Sequence, residues 1–185
     1  MERLQIALTG PVGAGKTSFV RTISEIEVVD TDRYATDETS LIKSTTTVAF
    51  DFGRLTLDSG QVLYLYGTPG QFRFDFMWEI LIDQVQAYIL LIDAHRPENF
   101  HAARKIFNFM QHRTQTPMII GLTHTDCEGA WESEDIALAL GLAEQLNQPS
   151  IVQVNADNPQ SVVQCLIVLL EELMSLPSPK GLSNE

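Results

Sequence analysis

The hydrophobic and polar positions along the chain form blocks that predict strands alternating with helices. Short apolar runs predict strands at 4–8, 48–57, 61–66, 86–92, 118–122 and 151–154. Apolar residues at helical spacing predict helices at 16–26, at 72–82, from Pro97, from a Ser133 cap, and at 160–174 after Asn158-Pro159. The near-continuous apolar strand at 86–92 is typical of a parallel sheet that is covered on both faces.

This order of elements predicts an α/β fold with a doubly wound, mostly parallel six-stranded sheet. Asp58-Ser59-Gly60 separates two consecutive strands, so these strands should form a hairpin that adds one antiparallel strand. We expect one domain over residues 1–176 and a flexible tail over 177–185. Ligands of such sheets bind at the carboxyl ends of the strands.

A glycine-rich segment between the first strand and the first helix carries the clearest chemical signal. Residues 10–17 fit the pattern G-x-x-x-x-G-K-[ST] of a phosphate-binding loop, or P-loop. Backbone N–H groups of such a loop surround phosphates, Lys16 supplies a positive charge to the β- and γ-phosphates, and Thr17 supplies a hydroxyl to Mg²⁺. The predicted nucleotide-binding residues of this segment are Gly10, Pro11, Val12, Gly13, Ala14, Gly15, Lys16, Thr17 and Ser18.

Composition narrows the classes of partner. The 185 residues include 12 basic and 24 acidic side chains, which gives a net charge of −12. This charge argues against nucleic acid and anionic membranes as partners, because both attract basic surfaces. Two cysteines without metal-ligand spacing and the lack of a secretory or membrane-spanning run indicate a reducing cytoplasm. The ends lack lipidation motifs, so we expect no direct membrane anchor.

Four segments together resemble the small Ras-like GTPases over roughly residues 3–175, beginning with the P-loop. Thr45-Thr46-Thr47 before Val-Ala-Phe is similar to the switch I threonine; by this resemblance Thr47 would contact the γ-phosphate and Mg²⁺. Residues 67–71, Gly-Thr-Pro-Gly-Gln, are similar to the switch II motif Asp-x-x-Gly-Gln. There Gly70 would donate its N–H to the γ-phosphate, and Gln71 would orient the attacking water.

The fourth segment, Thr123-His124-Thr125-Asp126, is similar to the Asn-Lys-x-Asp motif that reads guanine. The resemblance implies that Asp126 accepts hydrogen bonds from the guanine N1–H and 2-amino groups, with Thr123 and His124 beside the base. Asn155-Ala156 matches the family's Ser-Ala loop, whose backbone N–H contacts the guanine O6. Adenine lacks the donor pair that Asp126 would read, so the resemblance favours guanine.

Departures from the family pattern point to one branch. Gly67 stands where the family has the switch II aspartate that holds Mg²⁺ through water, and Thr123 and His124 replace Asn and Lys. A Thr-Pro-Gly-Gln switch without the aspartate is similar to the bacterial MglA-type proteins. In that branch a Roadblock/LC7-type partner activates the GTPase. The aromatic segment 72–78 is too dense for one buried helix face, so we expect about half of its apolar side chains in the core and the remainder in a partner surface.

The resemblance therefore implies a cytoplasmic GTP-binding switch with slow hydrolysis, a Mg²⁺ cofactor and a protein effector or GTPase-activating partner. Lys16 and Gln71 would be catalytic, and Thr17 and Thr47 would hold the metal. Two alternatives stay open, a non-hydrolysing pseudo-GTPase scaffold and an ATP-dependent P-loop enzyme. Asp93 at the end of a buried strand is interpreted as structural, and Arg54 is interpreted as a surface residue rather than an arginine finger.

Overall fold

A computed structural model describes residues 3–28, 50–70, 75–142 and 148–175 of the chain, with the side chains of 75–77 excluded. The strands are β1 (Arg3–Thr9), β2 (Asp51–Thr56), β3 (Val62–Gly67), β4 (Ala87–Asp93), β5 (Met118–Thr123) and β6 (Ile151–Gln153). The helices are α1 (Lys16–Ile23), α2 (Asp75–Ile82), α3 (Phe100–Arg113), α4 (Ser133–Leu140) and α5 (Pro159–Ser175). A 3₁₀ turn at Pro97–Asn99 leads into α3.

The six strands form one sheet in the order β2-β3-β1-β4-β5-β6. Strand β2 runs antiparallel to β3, and every other neighbouring pair is parallel. This confirms the predicted α/β fold with one antiparallel strand. The carboxyl ends of β1, β3, β4 and β5 therefore meet at one edge of the sheet, where the P-loop also begins.

Two apolar cores cover the two faces of the sheet. Alternate residues of β4 divide between them, with Tyr88, Leu90 and Ile92 in the core that includes α2 and α3. Ala87, Ile89 and Leu91 lie in the core that includes α1 and α5. All seven residues of β4 are buried, which explains its continuous apolar run. Full burial of each large aliphatic side chain contributes about 1.5–3 kcal/mol.

Helix α1 ends at Ile23 rather than at the predicted Ile26. The N–H of Ser24 still bonds to the carbonyl of Val20, but Ser24 is already extended. The next N–H, that of Glu25, donates to the carbonyl of Arg54 at 2.8 Å. The helix thus ends early because the backbone of Glu25 forms a hydrogen bond with the neighbouring hairpin. Helical periodicity in the sequence does not reveal such a contact.

Two predicted helix starts have different outcomes. The Ser133 cap is wrong, because Glu132 is the N-cap of α4 and Ser133 is already helical; its hydroxyl contacts the Glu134 carboxylate at 3.1 Å. The Asn158 cap is confirmed, since the Asn158 side-chain oxygen accepts the N–H of Ser161 at 3.0 Å. The predicted strand from 48 begins later in the structure, at Asp51.

Helix α2, which follows the switch II-like motif, contributes to the core. Trp78 in α2 is completely buried and packs edge-on against Phe109, with 5.3 Å between ring centroids. Trp78 therefore belongs to the part of the segment that we expected in the core, while the other aromatic side chains of the segment lie outside the described residues. No helix within the described ranges combines the length and apolar character needed to cross a bilayer.

Candidate nucleotide-binding site

The P-loop takes its predicted shape because two glycines occupy positions that other residues do not tolerate. Gly10 has φ 144°, and a Cβ there would lie 2.1 Å from the carbonyl oxygen of Leu91. The loop can therefore pass strand β4 at this point because Gly10 has no side chain. Gly15 precedes α1 with φ 88° in the left-handed region, which glycine adopts readily.

Lys16 lies folded over the loop that precedes it. Its ammonium group donates hydrogen bonds to the carbonyl oxygens of Gly10 at 2.8 Å and Pro11 at 2.7 Å. The residue is 8% exposed, so its charge is partly withdrawn from solvent but remains at the wall of the cleft. A cation in this position attracts phosphate groups.

A cleft of about 320 Å³ opens beside the P-loop at the carboxyl edge of the sheet. It joins the P-loop to the start of the switch II-like segment and to the loop after β5. Its lining residues are Val12, Gly13, Gly15, Lys16, Thr17, Ser18, Asp51, Gly67, Thr68, Pro69, Gly70 and His124. Three segments that are distant in sequence, each predicted from its own motif, thus converge on one site.

Gly70 packs directly against the P-loop backbone. A Cβ on Gly70 would lie 2.5 Å from the Val12 nitrogen and 2.6 Å from the Pro11 carbonyl carbon. Any side chain at this position would therefore have to displace backbone atoms. The predicted γ-phosphate contact of Gly70 places it beside the P-loop, and the geometry agrees with that placement.

Thr17 has a partner that the sequence analysis did not identify. Its hydroxyl donates a hydrogen bond to a carboxylate oxygen of Asp51, 2.6 Å away, across the gap between α1 and β2. Asp51 is 7% exposed and lines the cleft. Hydroxyl and carboxylate oxygens are ligands that Mg²⁺ prefers, so these residues fit the metal that the P-loop motif implies.

Thr123 ties the loop after β5 to the P-loop. Its hydroxyl is buried and lies 3.2 Å from the Ala14 carbonyl oxygen and 3.3 Å from that of Ile92. His124 follows with φ 55°, and its ring Nδ1 lies 3.1 Å from the Thr123 hydroxyl. The predicted base-loop residues 123 and 124 are thus brought to the P-loop side of the cleft.

Asp93 organises this corner from within the protein. Its buried carboxylate accepts the N–H of His95 at 2.9 Å, and its other oxygen lies 3.3 Å from Nδ1 of His124 and 3.4 Å from Nε of Arg96. The contacts are consistent with the structural role that we predicted. Arg96 was missed by the sequence analysis, although its guanidinium lies 3.8 Å from where a Cβ on Gly13 would be.

The Asn155-Ala156 turn also reaches the P-loop. The Ala156 carbonyl accepts the Thr22 hydroxyl at 2.7 Å, and a Cβ on Gly15 would lie 3.2 Å from the Cβ of Ala156. The Asn155 side chain accepts the N–H of Asp157 at 3.0 Å, which shapes the turn. Asp126 is exposed in the turn after β5 and is not among the residues that line the cleft.

Some predicted residues cannot be placed. Thr47 and Gln71 both lie outside the described residues, so their predicted contacts with phosphate, metal and water stay predictions. Arg54 is exposed on β2 and forms a 3.7 Å ion pair with Glu25. This position agrees with the surface interpretation of Arg54.

A model of a protein family described as "conserved hypothetical ATP binding protein" matches residues 26–180. The chain belongs to this family. The match begins after the P-loop, so membership in the ATP-binding-protein family rests on the hairpin, the switch II-like segment and the later elements.

Two further similarities point to small G proteins. The chain is 28% identical to ADP-ribosylation factor-like protein 8b of Arabidopsis thaliana over 144 residues, which cover 76% of this chain and 71% of that protein. It shares its fold with the Arl6 BBS3 small GTPase from Trypanosoma brucei, solved with the nucleotide analogue GppNp. There the TM-score is 0.71 at 16% identity, over 93% of this chain and 98% of that one.

The structural similarity confirms the predicted small G-protein fold. Neither similarity supports the bacterial MglA-type branch, which stays a prediction.

Proposed function

We propose that this protein is a GTP-binding molecular switch with slow intrinsic GTP hydrolysis. The observation that carries the proposal is the single cleft in which the P-loop, Gly70 and His124 meet. A switch II-like segment beside a phosphate-binding loop would let the protein distinguish the triphosphate from the diphosphate, because only the triphosphate has a terminal phosphate that both segments could contact. The alternation between two nucleotide states is then the output that a partner reads.

The residues of the chain have separate tasks in this proposal. Lys16 and the P-loop N–H groups bind the phosphates, Gly70 donates its N–H to the γ-phosphate, and Gln71 orients the attacking water. Thr17 and Thr47 would hold Mg²⁺, which would neutralise negative charge on the phosphates. No arginine lines the described part of the cleft, so we expect turnover to be slow without an activating partner.

Guanine is our preferred base, and adenine is the second candidate. The similarities to ADP-ribosylation factor-like protein 8b and to a small GTPase support guanine, as does the carboxylate of Asp126 at the end of the base loop. The family description supports adenine, and Thr123 and His124 differ from the guanine-reading motif. A carboxylate that faces the guanine N1–H and 2-amino groups would favour guanine because adenine leaves it unpaired.

Nucleotide affinity tests the proposal directly. The purified full chain should be titrated with fluorescent GDP, GTP and ATP analogues, each with and without Mg²⁺. The switch predicts guanine nucleotides in preference to ATP, and Asp126→Ala should reduce that preference. A preference for ATP, or no binding of any nucleotide, would contradict the GTP switch.

Hydrolysis separates the switch from the scaffold alternative. A metal-dependent turnover of bound GTP that is lost in Gln71→Leu supports an enzyme, whereas tight GTP binding without turnover favours a pseudo-GTPase. The absent switch II aspartate at Gly67 motivates the scaffold alternative.

We further propose a cytoplasmic protein whose nucleotide state is read by a protein effector or activator. A Roadblock-type partner is the version suggested by the MglA-type resemblance. It can be tested by adding a purified Roadblock-fold protein to the GTP-loaded and GDP-loaded chain. Binding restricted to one state, or faster GTP turnover, would support this partner class, and the absence of both would reject it.

A further inference from the structure

Asp51 and Gly67 lie directly opposite each other in the β2–β3 hairpin. The register pairs the two residues across the antiparallel strands, and side chains of paired residues point to the same face of a sheet. A Cβ on Gly67 would lie 2.9 Å from Cβ and 3.1 Å from Oδ2 of Asp51. The Asp51 side chain therefore occupies the space into which a side chain at position 67 would extend.

The contact with Thr17 leaves Asp51 well arranged to assist a cation. Because the Thr17 hydroxyl uses its proton in the 2.6 Å bond to Asp51, its lone pairs remain available to a metal. The carboxylate adds negative charge at the wall of the same cleft, next to phosphates that alone would repel it. An acid in this position is favourable when a divalent cation lies between it and the phosphates.

The Thr68 hydroxyl provides a further sign that this wall is built for a ligand. Thr68 lines the cleft at 3% exposure, and its hydroxyl has no hydrogen-bond partner among the described residues. Its backbone is fixed, because the Thr68 N–H donates to the Leu8 carbonyl at 2.8 Å. A buried hydroxyl without a protein partner costs about 1–3 kcal/mol unless a ligand or water satisfies it.

We propose that Asp51 is the carboxylate that holds the nucleotide's magnesium, in place of the aspartate that is absent at position 67. P-loop NTPases generally hold Mg²⁺ with the P-loop hydroxyl and an aspartate. Here the hydroxyl is that of Thr17, and the aspartate comes from the edge strand β2 rather than from the end of β3. The inference rests on the proposed function in one respect, that a nucleotide binds in this cleft.

A structural role for Asp51, limited to accepting the Thr17 hydroxyl, makes a different prediction. Asp51→Asn keeps an oxygen acceptor and the size of the side chain but removes the charge. If Asp51 holds the metal, this variant should lose about 10–100-fold of the magnesium effect on nucleotide affinity, the scale found for residues that support metal ligands. If the role is structural, the magnesium effect should stay unchanged.

The first experiment measures release of a fluorescent nucleotide from wild type, Asp51→Asn and the control Asp58→Asn, in Mg²⁺ and in EDTA. Asp58→Asn changes the net charge by the same amount, and Asp58 is exposed in the hairpin turn, away from the Thr17 contact. A selective loss of the magnesium effect in Asp51→Asn supports the proposal. An Asp51→Asn variant that folds and retains the wild-type effect overturns it.

A relocation experiment tests the same proposal independently. Gly67→Asp alone should disturb the site, because its Cβ would lie 2.9 Å from that of Asp51. Combined with Asp51→Gly, it moves the carboxylate to the opposite strand and removes the clash. Restored magnesium dependence in the double variant, relative to Asp51→Gly alone, supports the proposal. A folded double variant without that dependence overturns it, also in the case that Asp51→Asn does not fold.

Comparing GTP with ATP separates a failure of the GTP-switch proposal from a failure of the metal assignment to Asp51. The choice of base reports on the switch, and the magnesium effect on whichever nucleotide binds reports on Asp51. Preferential ATP binding with an Asp51-dependent magnesium effect would reject GTP as the ligand and retain the metal assignment. Guanine-selective binding with a magnesium effect that is independent of Asp51 would do the reverse, and a wild type that binds no nucleotide rejects both.

Discussion

The Thr123 hydroxyl lies 3.2 Å from the carbonyl oxygen of Ala14 and ties the end of β5 to the middle of the P-loop. The same hydroxyl lies 3.3 Å from the Ile92 carbonyl oxygen in the neighbouring strand. One buried side chain thus connects two parts of the cleft that are far apart in sequence. We expect the shape of the P-loop to depend on it.

Thr123→Val should loosen this connection without changing the volume of the side chain. Loss of the donor to buried carbonyls should destabilise the fold by about 1–3 kcal/mol. If half of this free energy is lost from nucleotide binding by the P-loop, GDP affinity should fall up to about tenfold. Urea denaturation and fluorescent GDP titration measure the two effects. Thr56→Val is the control, because Thr56 is exposed on β2, and equal behaviour of the two variants would contradict the proposed connection.

Gly70→Ala should change nucleotide binding more than stability. The added Cβ would meet backbone atoms of Val12 and Pro11 at 2.5–2.6 Å, so the switch II-like segment would have to move away from the P-loop. We expect the ratio of GTP to GDP affinity to change.

Gly129→Ala provides the contrast to Gly70→Ala. Gly129 has φ 84° and open space around its Cβ position, so substitution there should cost about 1–3 kcal/mol of backbone strain without touching the cleft. Affinity titrations and thermal melts on both variants separate these expectations. An unchanged affinity ratio in Gly70→Ala would show that the segment tolerates a side chain at this contact.

Asp93→Asn should weaken nucleotide binding through the residues that it positions. The variant removes the charge that faces His124 and Arg96 at 3.3 and 3.4 Å. We expect a several-fold loss of affinity with an unchanged magnesium effect, since Asp93 is not among the cleft-lining residues. The exposed Asp83→Asn controls for net charge. A loss of magnesium dependence in Asp93→Asn would contradict the division of roles between Asp93 and Asp51.

The two cysteines should differ in reactivity. Burial in the core raises the pKa of the Cys165 thiol from 9.0 to about 12, and the thiolate is the reactive form. In native protein at pH 8, a disulfide reagent should therefore label the half-exposed Cys127 and reach Cys165 at the rate of unfolding. Rapid double labelling of the native protein would contradict the burial of Cys165.

The same shift gives a direction for stability at high pH. Because the folded state raises the pKa, the unfolded state ionises first, and the folded state loses relative stability as pH rises from about 9 towards 12. Cys165→Ala should reduce this loss, although it also removes buried volume. Denaturation curves of wild type and variant at pH 8 and pH 10 give the comparison.

The fold and the P-loop were predictable because their signals are local. Apolar runs define β4 and β5, and the glycine positions of the loop follow from one short motif. The end of α1 was missed because a bond between Glu25 and Arg54, distant in sequence, decides it. Arg96 was missed because nothing in its own sequence context places it beside Gly13.

The position of Asp51 opposite Gly67 could have been predicted from the sequence. The turn Asp58-Ser59-Gly60 was identified, and a hairpin centred on Ser59 pairs Asp51 with Gly67. Combining that register with the missing aspartate at position 67 would have identified Asp51 as its counterpart. Thr47, Gln71 and Asp126 differ, because the roles predicted for them are contacts with a bound nucleotide rather than contacts within the fold.

The position of Asp51 in an edge strand links the metal to the border of the sheet. In the described structure β2 joins the sheet through β3 alone, and a slip of one residue in that pairing would turn the Asp51 side chain to the opposite face. A magnesium ion held by Asp51 would therefore stabilise the pairing of the outermost strand. Release of the metal would then be coupled to fraying of the sheet margin. Amide hydrogens along β2 should exchange faster when the metal is removed.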